Sequence, residues 1–271
     1  MTAPTASRPR VALIGAPTDV NSSFLRGPAG APRHIREALW SEAGNPAAES
    51  GVELGFDLEV LDQGDLPLDE TAADHARIAA AVEAAAASGA TPILLGGDHS
   101  VSFPAIEGLA RVVGPVQILH FDAHPDLYED FEGNPRSHAS PFARILERGL
   151  ASRLVQVGIR TLNRHCRAQA ERYGVEIVAM RDFRPEAVPV LGGPLYVSID
   201  LDGLDPACAP GVSHHEPGGL TVRQLLDVLH RQAAPLAGAD VVELNPDRDL
   251  HGMTAMVAAK LVKELAALAA R

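Results

Sequence analysis

The sequence predicts an α/β fold with a mainly parallel central sheet and helices on both faces, a three-layer α/β/α arrangement. Two observations predict it. Short, β-branched apolar runs recur without alternating apolar and polar residues, the pattern of strands buried on both sides. Segments of helical length and composition lie between them, so strand and helix alternate.

Taken in order, the first apolar run is 11–16. A Gly-Pro turn at Gly27 and Pro28 then leads to a helix over 31–40. Residues 41–55 carry loop-forming Gly, Pro and Ser. An alanine-rich helix over 72–88 has Gly89 just past its end, where a left-handed terminal glycine belongs. Strand 92–95, helix 103–113, strand 116–121 and helix 141–148 follow. Strand 154–158, helix 164–173 and strands 175–178 and 195–199 come next. A second loop occupies 205–219. Thr221, with Gln224 three residues on, reads as a capping box that opens a helix over 222–233. Strand 241–244 and helix 253–269 close the chain. No repeat or low-complexity linker divides it, so residues 1–271 are expected to form one domain.

Composition narrows the function classes. A chain of 271 residues in one domain buries about 75% of its unfolded surface and needs no covalent staple. It holds two cysteines, Cys166 and Cys208, which excludes a disulfide framework; they read as free thiols in the cytoplasm. The net charge of −12 without a basic stripe argues against nucleic acid and mildly favours a cationic small molecule. No run of about 20 apolar residues suits a membrane span. The opening stretch, MTAPTASRPRVALIGAP, has no apolar run before a cleavage site and is read as carrying no signal peptide.

The chemistry sits in four motifs at or just after strand ends, where ligands gather in open α/β sheets. GGDHS ends with His99 after a flexible Gly-Gly turn. HFDAHPD places Asp122, His124 and Asp126 at every second residue, so extended backbone turns all three to one side. SIDLDGLDP repeats that period with Asp200 and Asp202. VELNP puts Glu243 near a strand end. Any one of these is more often a loop with capping aspartates than a site. Together, after separate buried strands, they point to metal. Asp122, Asp126, Asp200 and Asp202 carry four negative charges that cannot stand together bare in a partly buried cleft. Two divalent cations neutralise them, with one histidine for each. Carboxylate and imidazole donors without thiolate suit a fairly hard ion such as Mn²⁺.

GGDHS, DAHPD and SIDLDGLDP, in this order, resemble the signature of the arginase/agmatinase superfamily. The resemblance runs over nearly the whole chain, through NSSFLRGPAGAP, HASPFARI, APGVSHHEPGGLT and HGMTAMVAAKLVKELAA, and is strongest to plant-type arginases. It implies a single arginase-like domain, two Mn²⁺ per chain, and a homo-oligomer, hexamer or trimer. It implies that Asp122 and Asp200 bridge the metals, with His99 and Asp126 completing one and His124 and Asp202 the other. It implies that His138 shuttles a proton and that Glu243 grips a guanidinium. A carboxylate can pair bidentately with that cation, and the leaving amine needs a proton from a group titrating near neutrality.

The expected reaction is cleavage of the guanidino group of L-arginine to urea and ornithine. Agmatine, or another guanidino compound such as a guanidino acid, is the alternative. The loop 127–137 should form part of the pocket rim, with Asn134 and Arg136 as candidate substrate contacts and Arg136 placed to meet a carboxylate. His214 is a candidate at the pocket mouth; its neighbour His215 has no assigned role. His120, inside an apolar strand, reads as a core histidine, and Asp98 and Asp205 as loop braces. A mononuclear zinc deacetylase is the rival enzyme class, disfavoured by the second DxD pair. A decayed binding module is disfavoured because every expected site residue is present.

Overall fold

The computed structural model describes residues 8–271, so the first part of the stretch read for a targeting signal lies outside the described residues. Eight strands form one sheet: β1 (Arg10–Gly15), β2 (Glu59–Asp65), β3 (Thr91–Leu95), β4 (Val116–Phe121), β5 (Ala151–Ile159), β6 (Glu176–Ala179), β7 (Leu195–Asp200) and β8 (Leu236–Val242). Their spatial order is β2-β1-β3-β8-β7-β4-β5-β6, and every pairing is parallel. Among the described residues six α-helices lie between strands, α1 (Ala31–Leu39), α2 (Ala73–Ala87), α3 (Ser102–Val113), α4 (Pro141–Glu147), α5 (Arg164–Tyr173) and α6 (Val222–Arg231), and α7 (Met253–Ala269) follows β8.

Successive strand residues feed two separate cores. Leu13, Ile93, Leu119, Val197 and Val241 pack with α1, α6 and α7. Ile14, Leu94, Ile118, Tyr196 and Val242 pack with α2, α3, α4 and α5. Both faces of the sheet are therefore covered, which is why its strands read as continuous apolar runs. The capping box at Thr221 and Gln224 is present, and Gly89 takes the left-handed φ of 80°.

One strand lies outside the sequence reading. β2 is an edge strand paired only to β1, and its residues, EVLDQGD, are mostly exposed or half-buried. Among the described residues, no helix is long and apolar enough to cross a membrane.

Candidate active site

In an all-parallel sheet every carboxyl end lies along one edge. β3, β8, β7 and β4 are neighbours at its centre, and the four motifs leave from their ends. Close backbone approach sets the first turn: a Cβ on Gly97 would meet the Thr18 carbonyl oxygen at 1.7 Å, so only glycine fits. Asp98 then accepts the Ser100 amide at 3.0 Å and starts a short turn that carries His99. Asp126 (φ 49°) and Glu243 (φ 65°) both hold left-handed backbone, which costs a non-glycine residue about 1–3 kcal/mol and tends to cluster at functional sites.

His99 decides what the cluster can hold. Its Nδ1 stands 3.2 Å from Asp122 Oδ2, 3.0 Å from Asp126 Oδ2 and 3.1 Å from Asp200 Oδ2. None of these contacts has hydrogen-bond geometry, and Nδ1 is a buried nitrogen without a partner. The other ring nitrogen, Nε2, lies 3.0 Å from Ser198 Oγ, and that hydroxyl donates its single proton to Asp240 Oδ1 at 2.7 Å. Ser198 must therefore accept from an Nε2–H, which leaves the Nδ1 lone pair facing three carboxylate oxygens. Only a cation among them resolves that repulsion, and a divalent metal fits the donors. Burial opposes a proton on His99, but Asp122, Asp126 and Asp200 outweigh it and hold its pKa well above the usual value. Proton and metal thus compete for one position.

A second group adjoins the first. His124 Nδ1 lies 3.1 Å from Asp202 Oδ2 and 3.4 Å from Asp122 Oδ1. Asp122 thus presents one oxygen to each histidine. Asp200 Oδ1 accepts the Asp202 amide at 2.8 Å, leaving Oδ2 for the cluster. Burial, with Asp202 and Asp122 beside it, pushes the Asp200 carboxyl well above the carboxylate range. Burial pushes Asp202 up to about 6, with Asp122 adding to the rise against the pull of His124. Asp122 goes the other way: His120, His124 and His99 overcome its burial and hold it well below.

His120 also adjoins His99 and Asp122, but it has no lone pair to offer a metal. Gln156 Nε2 donates to the Pro125 carbonyl at 2.6 Å, which fixes the amide, and to His120 Nδ1 at 3.0 Å. His120 therefore donates from Nε2 to Asp122 Oδ2 at 2.8 Å. It is a core histidine that orients a carboxylate of the cluster. Asp98 and Asp205 brace loops as expected, Asp98 by accepting the Asn21 amide and Asp205 those of Ala207 and Gly218.

The cluster opens into a cavity of about 320 Å³ lined by His124, Asp126, Asp200, Asp202, His138, His214 and Glu243, with Ser23, Tyr128, Asn163 and Glu216 around them. His138 Nδ1 donates to Glu243 Oε1 at 2.8 Å, and the His99 amide donates to the same oxygen at 2.8 Å. Burial lowers the His138 pKa, but Glu243, Asp98 and Asp126 raise it further, to about 9. Burial raises Glu243, and His138 more than offsets it, so the carboxylate stays ionised. Oε1 is thus committed, and among the described residues Oε2 has no donor. His214 stands 5.2 Å from His138 and 5.9 Å from His124 between ring centroids, kept neutral chiefly by burial. His215 bonds the Pro210 carbonyl instead.

The structure corrects two expected substrate contacts. Asn134 is spent on Asn21 and on the Arg136 amide. Arg136 turns away toward the Ala72 carbonyl and lines a separate cavity of about 50 Å³ with Asp74 and Arg144. The rim comes instead from Tyr128 and Phe131 of the same loop. Sequence reasoning also missed Ser23, the Ser198–Asp240 pair and Arg160. Arg160 donates to the Asp202 and Glu216 carbonyls at 2.7 and 2.6 Å, tying the second DxD loop to the cavity wall. Only Ser198 and Ser23 fell within motifs the sequence singled out.

A family model described as "Arginase family" matches residues 9–267. "Arginase 1, mitochondrial" of Arabidopsis thaliana is 50% identical over 272 residues, 94% of this chain and 80% of that protein. "Arginase 2, chloroplastic/mitochondrial" of the same plant is 48% identical, over 94% of this chain and 79% of that protein. The solved arginase of Medicago truncatula superposes with a TM-score of 0.94 at 46% identity, covering 98% of this chain and 89% of that one. The expected cytoplasmic location is overturned by these relatives, whose names place them in mitochondria or chloroplasts. Two free thiols exclude a disulfide framework; they do not distinguish one reducing compartment from another.

Proposed function

The chain belongs to the arginase family, and we propose that it is a dimanganese hydrolase cleaving the guanidino group of L-arginine to urea and ornithine. The observation that carries this reading is the unpartnered His99 Nδ1 aimed at three carboxylate oxygens, with the His124–Asp202 pair beside it. His99, Asp122, Asp126 and Asp200 would hold one ion, and His124, Asp202, Asp122 and Asp200 the other. Bound divalent metal supplies Lewis acidity and a water acidic enough to attack near neutral pH.

The protein's own residues do the rest. A guanidinium is a delocalised, permanently charged group that water attacks poorly. Glu243 Oε2, facing the cavity, accepts from it and orients its carbon toward the carboxylate cluster. The C–N bond to the chain nitrogen breaks. One water and the guanidinium yield neutral urea and an ammonium, so both water protons end on the leaving nitrogen. His138, charged below about pH 9, holds a proton at Nε2 on the cavity side and passes it to that nitrogen. His214 adds a neutral ring face against the cation.

One observation favours agmatine as a second reading. Among the described residues no Lys or Arg lines the cavity, and Glu216 does. The α-carboxylate of arginine meets only neutral donors such as Asn163 and Thr161, while an ammonium at that end meets Glu216. Urea release from arginine, agmatine and guanidino acids with Mn²⁺ present tests both. Turnover of arginine above the others supports the first reading, agmatine above arginine the second, and no urea from any of them refutes the guanidine chemistry. The trimer or hexamer draws support from exposed apolar Trp40, Phe56, Leu250 and Met253, and light scattering showing a monomer at micromolar concentration would count against it.

A further inference from the structure

Beyond the ligand set and the two groups already given chemistry, the loop after β1 reaches into the cavity at one point. The Ser23 amide nitrogen lies 3.1 Å from His138 Nε2, and the Ser23 hydroxyl lies 2.8 Å from the same atom. The placement is built rather than incidental, because the loop is pinned on both sides of Ser23. Before it, Asp98 accepts the Asn21 amide at 3.0 Å, and the Asn21 carbonyl accepts the His138 amide at 3.2 Å. After it, Asp19 accepts the Gly27 amide at 2.7 Å and the Arg26 Nε at 2.6 Å.

The two Ser23 groups have different uses. A backbone N–H can only donate, so it serves the neutral ring, whose Nδ1–H points to Glu243. When the ring is charged, Nε2 bears a proton of its own, so the bond from the amide is lost and only an acceptor can serve that proton. The hydroxyl can rotate: it donates to the neutral ring and accepts from the charged one. It is the one described group bonded to Nε2 that suits both states.

We infer that Ser23 is a positioning residue for the hydrolysis, holding His138 in one orientation and giving its Nε2–H an acceptor until that proton is transferred. Ser23 acts through His138, so the inference rests on the reading of His138 as the proton donor. The ionisable groups facing that ring are Glu243 after β8, Asp98 after β3, Asp126 after β4 and His214 from the 205–219 loop. None of them changes when Ser23 is altered, so a shift in the ring's behaviour reports the lost hydroxyl.

The test is the pH dependence of kcat for urea release by Mn²⁺-loaded wild type, Ser23→Ala, Ser23→Thr and His138→Asn, with metal content measured in each. Ser23→Ala should keep its metal, since the hydroxyl touches no ligand. Its kcat should fall about 10-fold, as for other residues that orient a reacting group. Without its acceptor the charged ring is disfavoured, so the alkaline limb of the kcat profile should move down by about one pH unit, while Ser23→Thr restores both. Unchanged kcat in Ser23→Ala, a fall in kcat without the pH shift, or a loss of metal each overturns the inference. His138→Asn separates the two claims. If it retains wild-type kcat, the reading of His138 itself has failed; if it is inactive while Ser23→Ala is normal, only the role of Ser23 has failed.

Discussion

His138 Nδ1 and Glu243 Oε1 meet at 2.8 Å beneath the cavity, and neither residue belongs to the carboxylate cluster that faces His99. The two should therefore be separable from metal binding. His138→Asn is expected to keep its metal and to lose turnover by roughly 10²–10⁴-fold. Glu243→Gln keeps the shape but offers a neutral amide to the cation, a loss of about 2–5 kcal/mol that should appear in kcat/KM. Steady-state urea production beside metal analysis checks both. Loss of metal in His138→Asn would show that the ligand set is misassigned.

Removing the metal should expose the repulsion it relieves. Asp202, raised to about 6, and Asp200, raised well above the carboxylate range, bind protons more tightly folded than unfolded. Their contribution is complete below the ordinary carboxylate pKa and is lost as pH rises through the folded values. Metal-free protein should therefore lose stability steadily as pH climbs past 6, whereas the Mn²⁺-loaded protein should not. Thermal unfolding with and without chelator across pH 5–8 measures the difference, and parallel curves would argue against a shared cation site.

Ser198 should matter to metal binding without touching metal. Its hydroxyl passes the Asp240 carboxylate's preference to His99, fixing the tautomer whose Nδ1 lone pair faces the cluster. Ser198→Ala is expected to weaken Mn²⁺ affinity about 10–100-fold while the fold stays intact. Titration calorimetry reads this directly, and an unchanged affinity would remove the tautomer argument.

How much of this was legible in sequence depended on whether burial or contact set the feature. β4 and β7 were readable because packing on both faces makes most of their positions apolar, with Gln117, His120, Ser198 and Asp200 the polar exceptions. β2 was not, because only Val60 and Leu61 of Glu59–Asp65 pack against the cores and its remaining side chains are polar and largely exposed. The residues of the carboxylate cluster were readable from their motifs at strand ends, although the chain bends there, with Asp126 at φ 49° and a 3₁₀ turn over Leu201–Gly203, where the sequence suggested extended backbone. Ser23 and Arg160 reach the site from separate loops, so no spacing marks them. Arg136 was misplaced for the same reason: a loop's sequence says which charges it carries, while its turn at Asn134 decides where they point.

A stability device stands far from the chemistry. Glu264 of α7 is buried and accepts the Glu49 amide at 2.8 Å, His230 Nε2 at 2.9 Å and Lys260 Nζ at 2.5 Å. Burial raises its carboxyl, and Lys260 and His230 more than offset that, so its folded pKa lies below the usual value. Its contribution is present above the ordinary glutamate pKa and fades as pH falls. Glu264→Ala, which strands those donors, should cost about 2–4 kcal/mol near pH 7 and less at pH 4, with activity per folded molecule unchanged. Urea denaturation at the two pH values provides the comparison.

A count of metal against turnover tests the two-metal site most directly. Metal-free protein titrated with Mn²⁺ while urea release from L-arginine is followed should reach full activity at two ions per chain. Saturation at one ion, or urea release with none, would contradict it.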